Sequence, residues 1–277
     1  VAKISWILLD AVWDWQLLLG SVVQRAGPSR EGPEDPIRTG SAPELASTGW
    51  VFYDRFREGY PYGVDLMQLN RADLARISRR TLQDYNQRAE AFWEGTRDHD
   101  VSQNIATLLQ FIEGEPPFTI LDFGCGPGRD LKALTELGHI AVGLEGAARF
   151  AEMARAYSGC EVWQQEFLAL DLPDRYFDGI FANAALFHVP SQELPRVLSE
   201  LRATLKPGGV LFSSNPHGRN EEGWNGGRYG AYHDLEAWCQ FLSAAGFIEL
   251  THYYRPAGLP RAEQPWLASV WRRREAE

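Results

Sequence analysis

The sequence predicts an α/β fold, a doubly wound seven-stranded sheet with an antiparallel last strand pair, preceded by an N-terminal helical extension. Two observations lead to this prediction. Strand-like and helical stretches alternate after Pro116-Pro117, which is typical of a parallel sheet covered by helices on both faces. The last two strand candidates have no helix between them, and such a direct connection joins antiparallel neighbours.

The expected strands are apolar runs bounded by turn residues. They are Phe118–Phe123, Ile140–Leu144, Glu161–Gln164, Phe177–Asn183, Val210–Ser214, Phe247–Tyr254 and Leu267–Arg272. The expected helices between them have apolar residues at helical spacing. They are Asp130–Leu137, Ala147–Tyr157, Ser191–Leu205 and His233–Ala245.

Two more helices are expected before the first strand. Apolar residues recur at helical spacing from Leu74 to Phe92, directly after Asn70, whose side chain suits an N-cap. A second helix carries apolar residues from Val101 to Ile112. Both helices precede the sheet, so we expect them to cover part of it.

The segment upstream of these helices has a different composition. The stretch 26–49 is rich in Pro, Gly and Ser and is interpreted as a linker. The chain therefore divides into an N-terminal helix and linker extension of unassigned role, 1–69, and an α/β domain with a helical cover, 70–277.

Composition and charge exclude several classes of function. The chain has 27 Lys and Arg residues against 37 Asp and Glu residues, a net charge of −10, which argues against a surface that follows nucleic-acid phosphates. The three cysteines show no metal-ligand spacing, which suits the reducing cytoplasm and no structural metal. The apolar run Ile4–Val23 contains Asp10 and Asp14. A charge at bilayer depth costs about 2.5–3.5 kcal/mol, so we expect a helix packed on protein and no membrane partner.

A glycine-rich turn follows the first strand. Gly124, Gly126 and Gly128 lie within Thr119–Asp130, where a buried strand runs into a helix. Glycine lets the backbone turn sharply and approach a ligand, and the helix that follows presents free N–H groups. A dinucleotide-binding loop is the competing interpretation, but Arg129 occupies the position of its third glycine.

Acidic residues near this turn indicate which nucleoside it binds. Asp122 precedes the first glycine, where a carboxylate attracts the ammonium of S-adenosyl-L-methionine and would repel a pyrophosphate. Glu145 ends the second strand, where a carboxylate accepts the ribose hydroxyl protons. Glu166 and Phe167 follow the third strand, at the expected adenine contact. The predicted cofactor-binding residues are Asp122, Gly124, Cys125, Gly126, Gly128, Asp130, Glu145, Gly146, Glu166, Phe167, Asn183, Trp93 and Thr96.

These elements, together with the fourth strand and the Leu205–Gly209 motif, resemble the class I S-adenosylmethionine-dependent methyltransferases. The resemblance extends from about Tyr85 to Arg273 and implies a Rossmann-like sheet. A dehydrogenase is disfavoured by Arg129 and by the antiparallel ending. A non-catalytic scaffold that binds the cofactor stays open as an alternative.

The methyl acceptor is expected beyond the carboxyl ends of the fourth and fifth strands, where doubly wound sheets bind their ligands. Asn215–His233 is predicted to be one long loop that acts as a lid or binding segment. The predicted catalytic residues are His188, Asn183 and His99, with His233 as a further candidate proton acceptor. Each histidine could equally bind the substrate by a hydrogen bond. The predicted substrate-binding residues are Phe187, His188, Asn215, Trp224, Asn225, Arg228, Tyr229, Tyr232 and Arg255.

Three segments carry a narrower resemblance. Phe92–Asn104, Asn183–Gln192 and Asn215–Tyr229 are similar to the C-terminal methyltransferase domain of ovothiol-biosynthesis enzymes, the 5-histidylcysteine sulfoxide synthase family. The resemblance implies a small-molecule acceptor, 5-thiohistidine, methylated on an imidazole nitrogen, and a pathway link to an iron-dependent sulfoxide synthase. Residues 1–70 show no iron-ligand pattern, so the chain departs from that multidomain arrangement. An excised domain, a stand-alone relative with the same acceptor and a relative with a changed acceptor all stay open.

The same resemblance implies how a zwitterionic acceptor is held. Arg228 or Arg255 would bind its carboxylate, and Glu221, Glu222 or Asp100 would bind its ammonium. The cofactor loop itself does not distinguish acceptors, so a small carboxylate, phenol or thiol stays open as the methylated group.

Overall fold

The computed structural model describes residues 68–275. The predicted N-terminal helix and the linker lie outside the described residues. None of the helices between residues 68 and 275 is both long and apolar enough to cross a lipid bilayer. The helices are α1 (Arg71–Gln87), α2 (Ala89–Thr96), α3 (Ser102–Phe111), α4 (Arg129–Glu136), α5 (Ala148–Ser158), α6 (Leu194–Thr204) and α7 (Leu235–Ala244), with short 3₁₀ turns at Leu186–His188 and Arg261–Glu263.

Nine strands are described, of which seven form one sheet. They are β1 (Thr119–Phe123), β2 (Ile140–Leu144), β3 (Glu161–Trp163), β4 (Phe177–Asn183), β5 (Leu205–Pro216), β6 (Glu221–Asn225), β7 (Arg228–Tyr232), β8 (Phe247–Arg255) and β9 (Trp266–Arg273). The order in the large sheet is β3-β2-β1-β4-β5-β9-β8, with β9 antiparallel to both of its neighbours. The predicted fold class is confirmed. The strand order reverses between β1 and β4, where doubly wound sheets bind their ligands.

Both faces of the sheet are buried. Leu121 and Phe123 of β1 face one apolar layer, which also contains Trp271, whereas Ile120 faces a second layer with Phe181. All five side chains are fully buried. Burial on both faces explains why the strands were recognisable as continuous apolar runs.

The helix predicted from Leu74 to Phe92 is in fact two helices. Asn70 is the N-cap of α1, as expected, and its side chain accepts from two backbone N–H groups. The α-helix is interrupted at Arg88, which has a ψ of 18°. The apolar spacing continues unchanged through this residue, so periodicity alone does not show the break.

The long loop predicted for Asn215–His233 is wrong. Asn215 and Pro216 end β5, and most of the remainder forms the antiparallel hairpin β6–β7. Asn225 pairs with Arg228 across a two-residue turn of Gly226-Gly227. Glycine permits the positive φ of 59° at Gly226. Glycine pairs are typical of two-residue hairpin turns, so a local signal for the hairpin was present in the sequence.

Candidate active site

The turn between β1 and α4 has glycines in the left-handed region. Gly124, Gly126 and Gly128 have φ angles of 77°, 53° and 94°. A Cβ at Gly124 would lie 2.7 Å from the Cβ of Ala185, and one at Gly128 would lie 2.7 Å from the Cα of Ala154, so both positions exclude a side chain. No described atom lies within 4 Å of the Cβ position at Gly126. The turn therefore exposes bare backbone at this glycine.

Glu145 follows β2 and holds the glycine turn through its carboxylate. Its Oε2 accepts a 2.9 Å hydrogen bond from the N–H of Gly126, and its Oε1 accepts a 2.7 Å bond from the N–H of Ala147. Burial raises the pKa of Glu145 to about 7, against the opposing effect of backbone hydrogen bonds from Ala147, Gly126 and Gly146. A carboxylate has about four lone-pair positions, so these backbone bonds leave room for a ribose hydroxyl to donate as well.

Asp122 lies in β1 and is only 2% exposed. Its Oδ2 has no hydrogen-bond partner among residues 68–275. Burial and the neighbouring Asp130 carboxylate raise the pKa of Asp122 well above its ordinary value, while Arg129 lowers it. A buried carboxylate without a partner is costly, and a bound ammonium would supply that partner. The donor set of this turn therefore fits the amino-acid end and the ribose of S-adenosylmethionine.

A chain of hydrogen bonds joins the glycine turn to the carboxyl end of β4. Asp130 accepts from Arg129 Nε at 2.6 Å and from Asn183 Nδ2 at 3.3 Å. Asn183 Oδ1 accepts from Asn104 Nδ2 at 3.0 Å, and Tyr253 donates to Asn104 Oδ1 at 2.9 Å. Asp130 and Asn183, both predicted site residues, are thus brought together. Asn104 and Tyr253 were not predicted in this role, although the full burial of the Asn104 amide marks it in the structure.

The cover helices attach to this edge of the sheet. Arg129 donates to the backbone carbonyl of Thr96 at 2.8 Å, and Ser78 donates to Glu166 at 2.5 Å. Leu82 lies over the backbone of Gly146. The cover helices therefore contact the start of α4 and the segments that follow β2 and β3.

Several predicted cofactor-binding residues pack against protein groups. Phe167 stacks on Phe123 with ring centroids 4.3 Å apart, and Trp93 packs edge-on against Tyr157 at 4.7 Å. Cys125 is buried, and burial raises the pKa of its thiol well above the ordinary value. The thiol of Cys125 is therefore neutral and suits a small packing residue within the turn.

His188 is held at both ring nitrogens. Nδ1 lies 2.7 Å from the carbonyl oxygen of Tyr229, and Nε2 lies 2.6 Å from the hydroxyl of Tyr85. A carbonyl only accepts, so Nδ1 carries the proton and Nε2 accepts from Tyr85. Burial and the nearby Arg228 guanidinium lower the pKa of His188 to about 4, although the bond to Tyr229 raises it. His188 is therefore neutral near pH 7, with no free ring nitrogen.

Tyr85 was missed as a site residue. The sequence placed it on the apolar stripe of a helix, and its ring does pack there, 5.7 Å from Phe92 and 5.3 Å from Phe150. Its hydroxyl, however, reaches His188 across 103 positions of sequence. The guanidinium of Arg228 lies 5.1 Å from the centre of the same ring. No local pattern could reveal so distant a partner.

The hairpin β6–β7 is fastened to α1. The N–H of Tyr229 donates to Thr81 Oγ1 at 3.0 Å, and Arg80 donates to the carbonyl of Gly226 at 3.0 Å. The guanidinium of Arg80 also lies 4.2 Å over the ring of Trp224. Trp224, predicted to bind substrate, thus packs at the contact between the hairpin and α1.

Of the remaining predicted acceptor residues, Phe187, Asn215 and Tyr232 lie together near the turn after β4, whereas Arg255 contacts the segment between the cover helices. The backbone N–H of Phe187 donates to Asn215 Oδ1 at 3.2 Å, and the rings of Phe187 and Tyr232 are 6.0 Å apart. Arg255 donates to the backbone carbonyl of Asp100 at 3.2 Å. His99 is half-buried beside Arg129, and both burial and that guanidinium lower its pKa. His99 therefore lies near Arg129 at the start of α4.

Comparisons with known proteins agree with this geometry. Residues 120–209 match the model of a methyltransferase domain. A 24-methylenesterol C-methyltransferase 2 of Oryza sativa is 34% identical over 128 residues, covering 43% of this chain and 33% of the relative. A trans-aconitate 2-methyltransferase of Azoarcus is 35% identical over 116 residues, covering 41% of this chain and 45% of the relative. The matched segment thus spans less than half the length of these curated relatives.

Solved structures share the fold. A 1,6-didemethyltoxoflavin-N1-methyltransferase of Burkholderia thailandensis, with bound S-adenosylhomocysteine, superposes with a TM-score of 0.62 at 20% identity, over 76% of this chain and 94% of that one. An S-adenosylmethionine-dependent methyltransferase of Mesorhizobium loti gives 0.51 at 20% identity, over 61% and 96%.

The sheet order, the glycine turn and the matched model together define a Rossmann-like methyltransferase domain. Residues 120–209 therefore belong to a methyltransferase domain with a Rossmann-like fold, and the donor set of its glycine turn fits S-adenosylmethionine. When bound, this cofactor supplies an electrophilic methyl group on a sulfonium. The protein's own part is to orient the acceptor and to exclude water from it.

Proposed function

We propose that this domain methylates an imidazole nitrogen of 5-thiohistidine, the reaction implied by its resemblance to the ovothiol-biosynthesis enzymes. An iron-dependent sulfoxide synthase would act earlier in the same pathway. The observation that carries the proposal is the state of His188, whose two ring nitrogens are both engaged.

The charge and hydrogen bonding of His188 limit which acceptors can be methylated in the crevice. A carbon or hydroxyl acceptor needs a general base to remove its proton. His188 is buried and neutral, and Tyr85 occupies its one acceptor nitrogen, so His188 is not available as that base. An imidazole nitrogen attacks the methyl group with its own lone pair and so needs little assistance from a general base. The site therefore favours a nitrogen acceptor.

We assign the cofactor contacts residue by residue. The carboxylate of Asp122 would bind the ammonium of S-adenosylmethionine, because its Oδ2 lacks a partner among the described residues. Glu145 would bind the ribose, and the backbone at Gly126 would lie against the cofactor. Phe167, stacked on Phe123, would bind the adenine.

The acceptor's carboxylate is assigned to Arg255. Arg228 already has partners, because its Nε lies 3.4 Å from Asp84 and its guanidinium lies over Tyr85. Arg255 donates through one terminal nitrogen to a carbonyl, whereas its buried Nε has no partner within residues 68–275. A guanidinium with an unmade bond suits a carboxylate ligand.

The three candidate partners for the acceptor's ammonium each accept a hydrogen bond from a backbone N–H group. Glu221 and Glu222 accept from the backbone N–H groups of Arg219 and Ser191. Asp100 accepts from the N–H of Ser102, and that hydrogen bond is exposed. We prefer Asp100 because it lies beside Arg255. The ammonium and the carboxylate of one zwitterion would then bind neighbouring residues.

A small carboxylate acceptor is the second candidate. The trans-aconitate 2-methyltransferase relative favours it. A carboxylate is already deprotonated at neutral pH, so it too reacts without a base. Arg255 would serve such an acceptor equally well.

The test is a product assay with the full chain and S-adenosylmethionine. Each of 5-thiohistidine, histidine and trans-aconitate is supplied separately, and products are located by mass spectrometry and NMR. We expect a ring-nitrogen methyl on 5-thiohistidine. Glu145→Ala should abolish cofactor binding by calorimetry, whereas Glu152→Ala, on the exposed face of the neighbouring helix, should not. Cofactor binding with methylation of trans-aconitate alone would refute the thiohistidine assignment and leave the methyltransferase intact.

A further inference from the structure

A small enclosed cavity lies beneath the hairpin, beside the carboxyl end of β5. Its volume is about 10 Å³, close to the space that one water molecule needs. Apolar walls are supplied by Phe187, Ala231, Trp238 and Leu267, among others. Asn215 and His233 supply its polar groups, because the indole N–H of Trp238 already donates to Ser269 Oγ at 3.0 Å.

Both polar groups have an unmade hydrogen bond. Asn215 Nδ2 and His233 Nδ1 are buried and have no partner among the described residues. The orientation of the Asn215 amide is fixed, because the N–H of Phe187 can only donate and therefore identifies the bonded atom as Oδ1. The Nδ2 donor consequently points away from the Phe187 backbone.

The ring of His233 is also held in place. Its Nε2 lies 3.3 Å from Ser191 Oγ. Trp238 stacks at 6.3 Å with an interplanar angle of 23°, and Phe241 lies at 5.0 Å. Neither polar group can turn to another partner without breaking these contacts. Buried polar groups in native proteins are nearly always satisfied, so the pair requires a ligand in the cavity.

We infer that Asn215 and His233 bind one internal water molecule, which joins the base of the hairpin to the turn that carries Phe187. Water suits the site because it can accept from the Asn215 amide and either donate to or accept from His233. The tautomer of His233 therefore does not decide the assignment. Through Asn215, the water would stabilise the hydrogen bond to the Phe187 backbone and so position the turn before His188. Asn215 and His233 are in this view positioning residues.

The first test is a crystal structure of the full chain at a resolution that shows ordered water. We expect a density peak about 2.7–3.2 Å from both Asn215 Nδ2 and His233 Nδ1. Ordered side chains around an empty cavity would overturn the inference, as would a peak whose scattering identifies a halide. The inference does not depend on which acceptor the enzyme methylates.

The second test measures hydrogen exchange at the Phe187 amide. His233→Phe keeps an aromatic ring against Trp238 but removes the nitrogen that holds the water. We expect exchange at Phe187 to accelerate about tenfold, since one hydrogen bond in the network is lost. The control is His217→Phe, at another half-buried histidine that does not line the cavity. Equal exchange in wild type and His233→Phe would show that the water does not support the turn.

Discussion

The hydroxyl of Tyr85 donates a 2.6 Å hydrogen bond to Nε2 of His188. This bond connects a cover helix to the turn after the central strand β4. Because the other ring nitrogen of His188 donates to Tyr229, one imidazole joins the cover, the sheet and the hairpin. His188, predicted to be catalytic, is therefore proposed to organise the crevice without removing protons.

Tyr85→Phe should destabilise the domain. The substitution keeps the ring contacts with Phe92 and Phe150 but leaves a buried nitrogen of His188 without its donor. We expect the free energy of unfolding to fall by about 1–3 kcal/mol, measured by urea denaturation. Tyr157→Phe, at a partly exposed tyrosine, is the control and should change little. Equal stability of Tyr85→Phe and wild type would show that the bond is not formed in solution.

Stability should depend on the titration of His188. Its pKa is lowered to about 4 in the folded protein, against 6.5 in the unfolded chain. Between these values the unfolded chain binds a proton that the folded protein does not, so the free energy of unfolding falls as the pH falls. The loss is up to about 3 kcal/mol. His188→Gln should therefore show a weaker pH dependence than wild type in this window, and an equal dependence in both proteins would mean that the pKa of His188 is not lowered by folding.

The titration of Glu145 should lower the stability of the folded protein as the pH rises, opposite to the effect of His188. Its pKa is raised from 4.5 to about 7, so the folded protein holds a proton that the unfolded chain releases. Its unfavourable effect on stability grows as the pH rises through this range. The free energy of unfolding of Glu145→Gln, relative to that of wild type, should therefore increase by up to about 3 kcal/mol as the pH rises from 4.5 to about 7. Thermal denaturation without cofactor measures this difference, and a constant difference would mean that Glu145 has an ordinary pKa.

Asp122→Asn should weaken cofactor binding. The substitution replaces the proposed partner of the cofactor ammonium by a neutral group of the same shape. A charge-assisted hydrogen bond contributes about 1.5–3 kcal/mol, so the Kd for S-adenosylmethionine should rise by roughly tenfold to a hundredfold in calorimetric titration. Asp174→Asn, at an exposed loop position outside the glycine turn, serves as the control. An unchanged Kd would show that the cofactor ammonium does not bind Asp122.

Arg255→Gln should raise the KM for the acceptor while kcat changes little. The guanidinium is proposed to bind the acceptor's carboxylate and to touch no reacting atom. The expected increase in KM is about tenfold or more in steady-state assays. Arg261→Gln removes a neighbouring guanidinium that lies over Tyr254 and should leave KM unchanged. A fall in kcat at constant KM would place Arg255 at the reacting centre instead.

Local sequence patterns predicted the sheet well. The strands β1, β2 and β4 are largely buried apolar runs, and this signal depends on neighbouring residues only. The same reasoning singled out Asp122 and Glu145, which are both buried beside the glycine turn, and their role in cofactor binding stays a prediction.

Contacts between distant segments were not predictable in the same way. Tyr85 has the spacing of a core residue, and only the folded chain brings its hydroxyl to His188. Trp224 suggested a ligand contact, yet its ring packs under Arg80. In both cases the partner lies more than a hundred positions away, where periodicity carries no information.

The attachment of the hairpin to α1 has a consequence for motion at this edge of the crevice. The N–H of Tyr229 donates to Thr81, and Arg80 donates to the carbonyl of Gly226. A displacement of the hairpin away from α1 would break both hydrogen bonds, so the two elements would have to move together to keep them.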